Sequence, residues 1–196
     1  MIIGPRIRLR RPEREDLPLF VTWLNDQEVR AGLSMYLPIG LAEEEHWFEE
    51  MIRRPQEERG LAVEIPHGEG WRPIGSTSLF SFDWRIRSAE FGILIGDKTV
   101  WDQGYGTEVT QLMLDHAFGT LNLNRLQLRV NATNLRASRA YEKAGYTLEG
   151  TLREAVFDDG VYSDLHLMSV LRSEWEAARE AAPGAAPGGV SDAGAA

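Results

Sequence analysis

The stretch that most limits what this chain can fold into runs from Ala89 to Leu121, where an alternating apolar run passes across two glycines into an amphipathic helix. Ala89, Phe91, Ile93 and Ile95 alternate with Glu90, Gly92 and Leu94, the pattern of a strand with two unlike faces. Val109, Leu112, Met113, Ala117 and Leu121 then recur at helical spacing, with Thr110, Gln111 and Asp115 on the other side. The joint is Trp101-Asp102-Gln103-Gly104-Tyr105-Gly106-Thr107-Glu108, so Gly104 and Gly106 fall between a strand and a helix N-terminus.

The first turn of a helix has backbone N–H groups without internal partners and carries a partial positive charge. Glycine lets such a turn approach phosphate closely, and a hydrogen bond to a charged acceptor is worth about 1.5–3 kcal/mol. A tight turn that binds nothing explains the glycines equally well at this point. Two other phosphate loops are excluded. A dinucleotide fingerprint requires glycine where Val109 stands, and no Gly-Lys-Ser/Thr ending of a nucleoside-triphosphate loop is present.

A second constellation, Asn131 to Tyr146, is more specific. Asn134 is a good N-cap and Gly145 a good C-terminal stop, so local chemistry bounds a helix at both ends. Asn134, Ser138 and Tyr141 share one face of it, and Arg136, Arg139 and Lys143 form a basic band. That band either meets phosphates or is a solvated face. A tyrosine spaced with Ala137, Ala140 and Ala144 is ordinarily a core residue.

Elsewhere the chain reads as a strand at Arg6–Arg10, a helix carrying Leu17, Phe20, Val21 and Leu24, and a second helix from Leu41 to Arg53. The segment Val29–Gly40 between them reads as irregular. Strands are expected at Leu61–Ile65 and Ile74–Phe82, at Leu126–Ala132, and in a final hairpin, Gly150–Phe157 and Tyr162–Leu171, turning at Asp158-Asp159-Gly160. The Glu90 strand and the Leu126 strand, linked by a helix, suit a parallel right-handed crossover.

A chain of 196 residues suits one domain. We expect it to span 1–176, with the Ala/Gly/Pro-rich 177–196 as a disordered tail. Thirty acidic residues against 21 basic give a net charge of −9, which argues against nucleic acid as a partner and favours cationic substrates. No apolar run reaches the ~20 residues of a membrane span, so no membrane partner is expected. The absence of cysteine excludes an acyl-cysteine intermediate and is compatible with the cytoplasm, the expected location.

Gly-x-Gly entering a helix at Gly104, and Asn-x-x-Ala-x-x-x-Tyr-Glu-Lys-x-Gly-Tyr from Asn134 to Tyr146, together resemble the GCN5-related N-acetyltransferases (GNAT). The branch they most resemble contains the ribosomal-protein N-terminal acetyltransferases. Trp101 departs from the Gln or Arg usual across the superfamily, though aromatics are common there in that branch.

The resemblance implies an α/β fold: a mixed, mostly antiparallel sheet of six to seven strands, about four flanking helices, and central parallel strands that splay apart. It implies acetyl-CoA as co-substrate, held by Ile93, Leu94, Ile95, Trp101, Gln103, Gly104, Tyr105, Gly106, Thr107, Asn134, Ser138 and Lys143. The Tyr141 hydroxyl would face the thioester sulfur. The first two helices and their connection would roof the acceptor pocket.

The expected activity is direct transfer of an acetyl group to a primary amine, by preference a peptide N-terminus, with polyamines and aminoglycosides as alternatives. An α-amine ionises near 7.7–8.0 and lysine near 10.4, a difference of about 3 kcal/mol in the work of deprotonation. Glu90 is the candidate base; the alternative is an ordinary ion-paired strand carboxylate. Relatives of this kind often form dimers, so a homodimer is a further expectation.

A non-catalytic acyl-CoA sensor is a rival that keeps both motifs. A hydrolase is disfavoured because Ser163 lies on the face opposite Asp164 and His166. No metal is expected, since His46, His67, His116 and His166 show no ligand spacing.

Overall fold

A computed structural model describes residues 1–33 and 35–181. In chain order the elements are β1 (Ile2–Ile3), β2 (Arg8–Arg10), α1 (Leu17–Asn25), α2 (Gln27–Arg30), α3 (Leu41–Arg53), β3 (Leu61–His67), β4 (Gly70–Asp83) and β5 (Ser88–Ile95). They are followed by α4 (Tyr105–Asp115), β6 (Arg125–Asn131), α5 (Leu135–Ala144), β7 (Thr147–Asp158), β8 (Val161–Leu171) and α6 (Arg172–Ala181).

The strands form one sheet in the order β1-β2-β3-β4-β5-β6-β8-β7, antiparallel throughout except for β5 and β6. The mixed α/β class is as expected, but the described residues hold eight strands and six α-helices rather than six to seven and about four. The additions are short or peripheral. β1 is two residues long, α2 is one turn that runs into the start of the segment read as irregular, and α6 ends the described chain. Residues 177–181, assigned to the tail, are the last turn of α6, and the remainder of that tail lies outside the described residues.

Local chemistry explains the element ends that matter for the site. Gly104 adopts φ of 83°, a left-handed conformation that a Cβ disfavours, and caps α4. The Asn134 carboxamide oxygen accepts from the Ala137 N–H at 3.1 Å, and Gly145 closes α5 at φ of 105°. The helix read as continuous to Leu121 instead widens into a π-turn at His116–Thr120.

Two apolar clusters cover opposite faces of the sheet. Ala62 and Val63 are neighbours on β3 yet belong to different clusters, as the alternation of a strand requires. Leu17, Phe20, Trp23, Phe48 and Met51 from α1 and α3 cover one face; Val109, Met113, Leu114 and Tyr141 from α4 and α5 cover the other. Buried carboxylates near the β2 edge are paired: Arg10 reaches Glu64 at 2.9 Å and Asp16 at 2.8 Å, which stabilises charge that burial would otherwise penalise.

The crossover places the site. β5 and β6 pair at only three rungs, Ser88↔Arg125, Ala89↔Leu126 and Glu90↔Gln127, while β5 runs on to Ile95 and β6 to Asn131. Past Glu90 the two strands part, leaving a gap in the middle of the sheet.

Candidate active site

A cavity of about 640 Å³ occupies this gap. Successive residues of β5 line it, Glu90 through Ile95, although their side chains alternate between the two faces. That is feasible only where the sheet is open. From the α1 and α3 side come Val29, Ala31, Gly32 and Leu33; from the other side come α4 and α5.

The glycine turn lies at one end. Among the described residues, the N–H groups of Tyr105, Gly106 and Thr107 donate to no protein acceptor, and all three residues line the cavity. The first internal bond of the turn is Glu108 N–H to the Gly104 carbonyl, at 3.1 Å. Arg6, from the start of the chain, braces the turn. Its Nε donates to Glu108 at 2.8 Å, its Nη1 to the Gln103 carbonyl at 3.1 Å, and its guanidinium lies 4.7 Å from the Tyr105 ring centroid.

Opposite the turn, α5 presents Asn134, Arg136, Arg139 and Lys143 to the cavity. Arg136 stacks on Trp101, while Arg139 and Lys143 have no ion-pair partner among the described residues. With Arg129 the lining holds four cationic side chains against two carboxylates, Glu90 and Asp102. In a chain of net charge −9, this local excess of positive charge around exposed N–H groups suits a polyphosphorylated ligand.

Tyr141 stands deeper, 8% exposed, edge-on to Phe91 with ring centroids 6.3 Å apart. Desolvation pushes its pKa up to about 12, so the hydroxyl keeps its proton at neutral pH. Among the described residues it has no hydrogen-bond partner, and it lines the cavity. Tyr146 packs behind it, ring centroids 5.9 Å apart, its hydroxyl buried; burial first, then the neighbouring Tyr141, raises its pKa well above the ordinary value.

Most of the residues expected at the site converge here: Glu90, Ile93, Leu94, Ile95, Trp101, Gly104, Tyr105, Gly106, Thr107, Asn134, Tyr141 and Lys143 all line the cavity. Two do not. The Gln103 side chain turns back to the Thr99 carbonyl at 2.9 Å, and the Ser138 hydroxyl bonds the Asn134 carbonyl at 3.1 Å, so neither stands on the lining. Trp101 is on the wall, but its indole N–H is taken by the Ile95 carbonyl at 2.8 Å. Glu90 is buried and ion-paired: Arg129 Nε lies 2.8 Å from Oε1 and Nη2 3.3 Å from Oε2.

Sequence reasoning did not find Arg129 or Arg6. Arg129 follows the strand alternation of β6, which hints only at a face; Arg6 acts across 102 positions with no local signal.

A second recess of about 490 Å³ adjoins the first at Ala31, between α2 and the tip of the β7–β8 hairpin. Asp26, Glu28, Asp158 and Asp159 line it with Lys98 and Arg30. Asp164, five residues beyond Asp159 on β8, accepts from the Glu154 N–H at 2.9 Å and is not part of the recess. Among the described residues no cluster of His, Cys, Asp or Glu could hold a metal ion, and no helix is long and apolar enough to cross a membrane.

Comparison with known proteins gives three findings. The family model described as "Acetyltransferase (GNAT) domain" matches residues 6–147. A spermidine N(1)-acetyltransferase of Vibrio cholerae is 28% identical over 183 residues, 88% of this chain and 97% of the relative, whereas the putative ribosomal N-acetyltransferase YdaF of Bacillus subtilis is 31% identical over 102 residues, 52% and 55%. The crystal structure of spermidine N-acetyltransferase from Vibrio cholerae in complex with CoA and spermine superimposes with a TM-score of 0.80 at 28% identity, covering 88% of this chain and 99% of that one.

Proposed function

The chain belongs to the GNAT acetyltransferases and is an acetyl-CoA-dependent N-acetyltransferase, and from that premise we propose that its acceptor is a small polycationic amine of the spermidine class. The observation that carries the choice is the near full-length similarity to spermidine acetyltransferases, against a half-length similarity to a putative ribosomal one. A peptide N-terminus, expected from the branch resemblance, becomes the second reading. The acidic recess beside Ala31 is in keeping with a cationic chain that extends outward from the cavity. A cytoplasmic location belongs to the same reading, since a chain without cysteine needs no oxidising compartment.

In this proposal the diphosphate of CoA rests on the N–H groups of Tyr105, Gly106 and Thr107, beside Arg136, Arg139 and Lys143. The pantetheine arm follows the unpaired edge of β5 along Ile93 to Ile95, past Asn134, towards Tyr141. The acceptor enters from the Val29–Leu33 side. Its nitrogen attacks the thioester carbonyl carbon, the carbon–sulfur bond breaks, and the Tyr141 hydroxyl hydrogen-bonds the departing thiolate. A backbone N–H of the β5 edge polarises the carbonyl oxygen. Glu90 receives the proton the amine loses, directly or through water; a lysine-like amine needs this help more than an α-amine does, by about 3 kcal/mol.

The test is an acceptor panel scored by CoA thiol release. Spermidine and spermine should exceed peptides with free α-amines by kcat/KM. Preference for the peptides would reverse the assignment, and no release with any amine would leave an acyl-CoA sensor.

A further inference from the structure

Glu90 and Arg129 meet at the crotch of the splay. Glu90 stands on the last paired rung of β5, opposite Gln127, and Arg129 lies two residues further along β6 on the same side as Gln127. Its fork reaches back across the opening to both oxygens of Glu90. The two side chains differ in exposure: 54% for Arg129 and 10% for Glu90. Neither has another side-chain partner among the described residues.

This asymmetry has a consequence. A carboxylate as buried as Glu90 costs several kcal/mol if left alone, so some cation must accompany it. Arg129 is half in water, so its guanidinium can leave at small desolvation cost, provided that another cation takes its place. The neighbouring face, lined by Val29, Ala31, Gly32 and Leu33, is where an acceptor would arrive. The remaining charged groups of the cavity, Asp102, Arg136, Arg139 and Lys143, come from the α4 turn and α5, on the other side of the gap.

We infer that Arg129 is an exchangeable counter-ion for Glu90, displaced by the ammonium of the incoming acceptor, and thereby sets how strongly the site prefers cationic amines. The inference rests on the acceptor reading above. An uncharged amine cannot make the exchange, because its arrival would strand the carboxylate. A cationic amine exchanges like for like, and competes with Arg129 for the position.

The experiment is steady-state kinetics on Arg129→Gln, Glu90→Gln and the double variant, with spermidine and with an arylamine uncharged at the assay pH. CoA affinity by calorimetry is the folding control. Arg129→Gln should lower the spermidine KM roughly three- to ten-fold by removing the competitor, because apparent affinity rises with the fraction of protein whose site is free to bind, and should not lower the arylamine KM. Glu90→Gln should raise the spermidine KM, and in that background the Arg129 substitution should have no further effect. Arg129→Lys, which keeps the charge, should stay close to the parent protein. A spermidine KM that is unchanged or raised in Arg129→Gln overturns the inference. Spermidine inert with the unsubstituted protein overturns the acceptor reading instead.

Discussion

The guanidinium of Arg136 lies 3.5 Å from the centroid of the Trp101 indole ring. Trp101 opens the glycine turn and Arg136 sits in the first turn of α5, so the two motifs meet face to face across the mouth of the cavity. The indole is fixed from behind by its bond to the Ile95 carbonyl. Arg136→Ala should weaken CoA binding severalfold by calorimetry. A double-mutant cycle with Trp101→Leu on thermal stability should return a coupling of about 0.5–1 kcal/mol, the usual range for an exposed cation–π pair. Strict additivity would mean that the stacking carries no energy.

Gly104 and Gly106 should separate stability from ligand binding. Gly104→Ala places a Cβ on a left-handed residue and should destabilise the protein by about 1–2 kcal/mol. Gly106 lies in α4 with ordinary backbone, and a Cβ there meets nothing within 4 Å. Gly106→Ala should leave the melting temperature unchanged or higher, because alanine is the better helix former by up to about 1 kcal/mol. It should nevertheless cost CoA affinity about ten-fold or more, roughly one charge-assisted hydrogen bond. Equal CoA affinity in Gly106→Ala and the parent would remove this turn from the phosphate site.

Tyr141→Phe should lower kcat while leaving acetyl-CoA affinity nearly intact, as read by turnover and calorimetry on the same preparation. The raised pKa of Tyr141 also sets a stability window. Below pH 10 both folded and unfolded forms keep the proton; between 10 and about 12 only the unfolded form loses it, so folding stability falls as pH rises through that interval. The phenylalanine variant should lose less over the same range in thermal melts.

At acid pH the sign is opposite. Hydrogen bonding from Arg125, reinforced by Ser169, lowers the Glu149 pKa from 4.5 to about 2. The ion pair, Arg125 Nη1 to Oε1 at 2.7 Å, therefore stabilises the fold above pH 4.5 and is lost as pH falls towards 2. Thermal melts of Glu149→Gln should show a shallower decline across that interval. Parallel curves would mean the solvent-exposed pair contributes nothing.

Wherever a local rule was sufficient, the elements were legible in advance. The bounds of α3 at Leu41 and Arg53 follow from the apolar stripe, and those of α5 from its Asn134 cap and Gly145 stop. Strands were legible at Leu61–Ile65 and Ile74–Phe82, but β3 and β4 reach further, to His67 and back from Gly70, because their pairing resumes beyond a register shift between Val63 and Glu64. β1 and α2 went unseen, being too short to show a period.

Ser138 illustrates how a helical face misleads. It shares spacing with Asn134 and Tyr141, yet its hydroxyl turns back to the Asn134 carbonyl, a local bond that a serine in a helix readily makes. Gln103 was placed by its position in the turn, and its amide is spent on Thr99. Spacing locates a backbone; it does not say which way a polar side chain spends its hydrogen bonds.

What the amino-acid order determined by itself was the strand-turn-helix joint at Gly104, the capped helix from Asn134 to Gly145, and the glycine turn and basic band that face the cavity, because each depends on neighbours within a few positions. Tertiary structure alone decided the partners of charge. Glu90 is held by Arg129 from 39 residues away, and Glu108 by Arg6 from 102 away. Only the crossover of β5 and β6, and the docking of the chain start on α4, bring those groups within the few ångströms over which an ion pair forms.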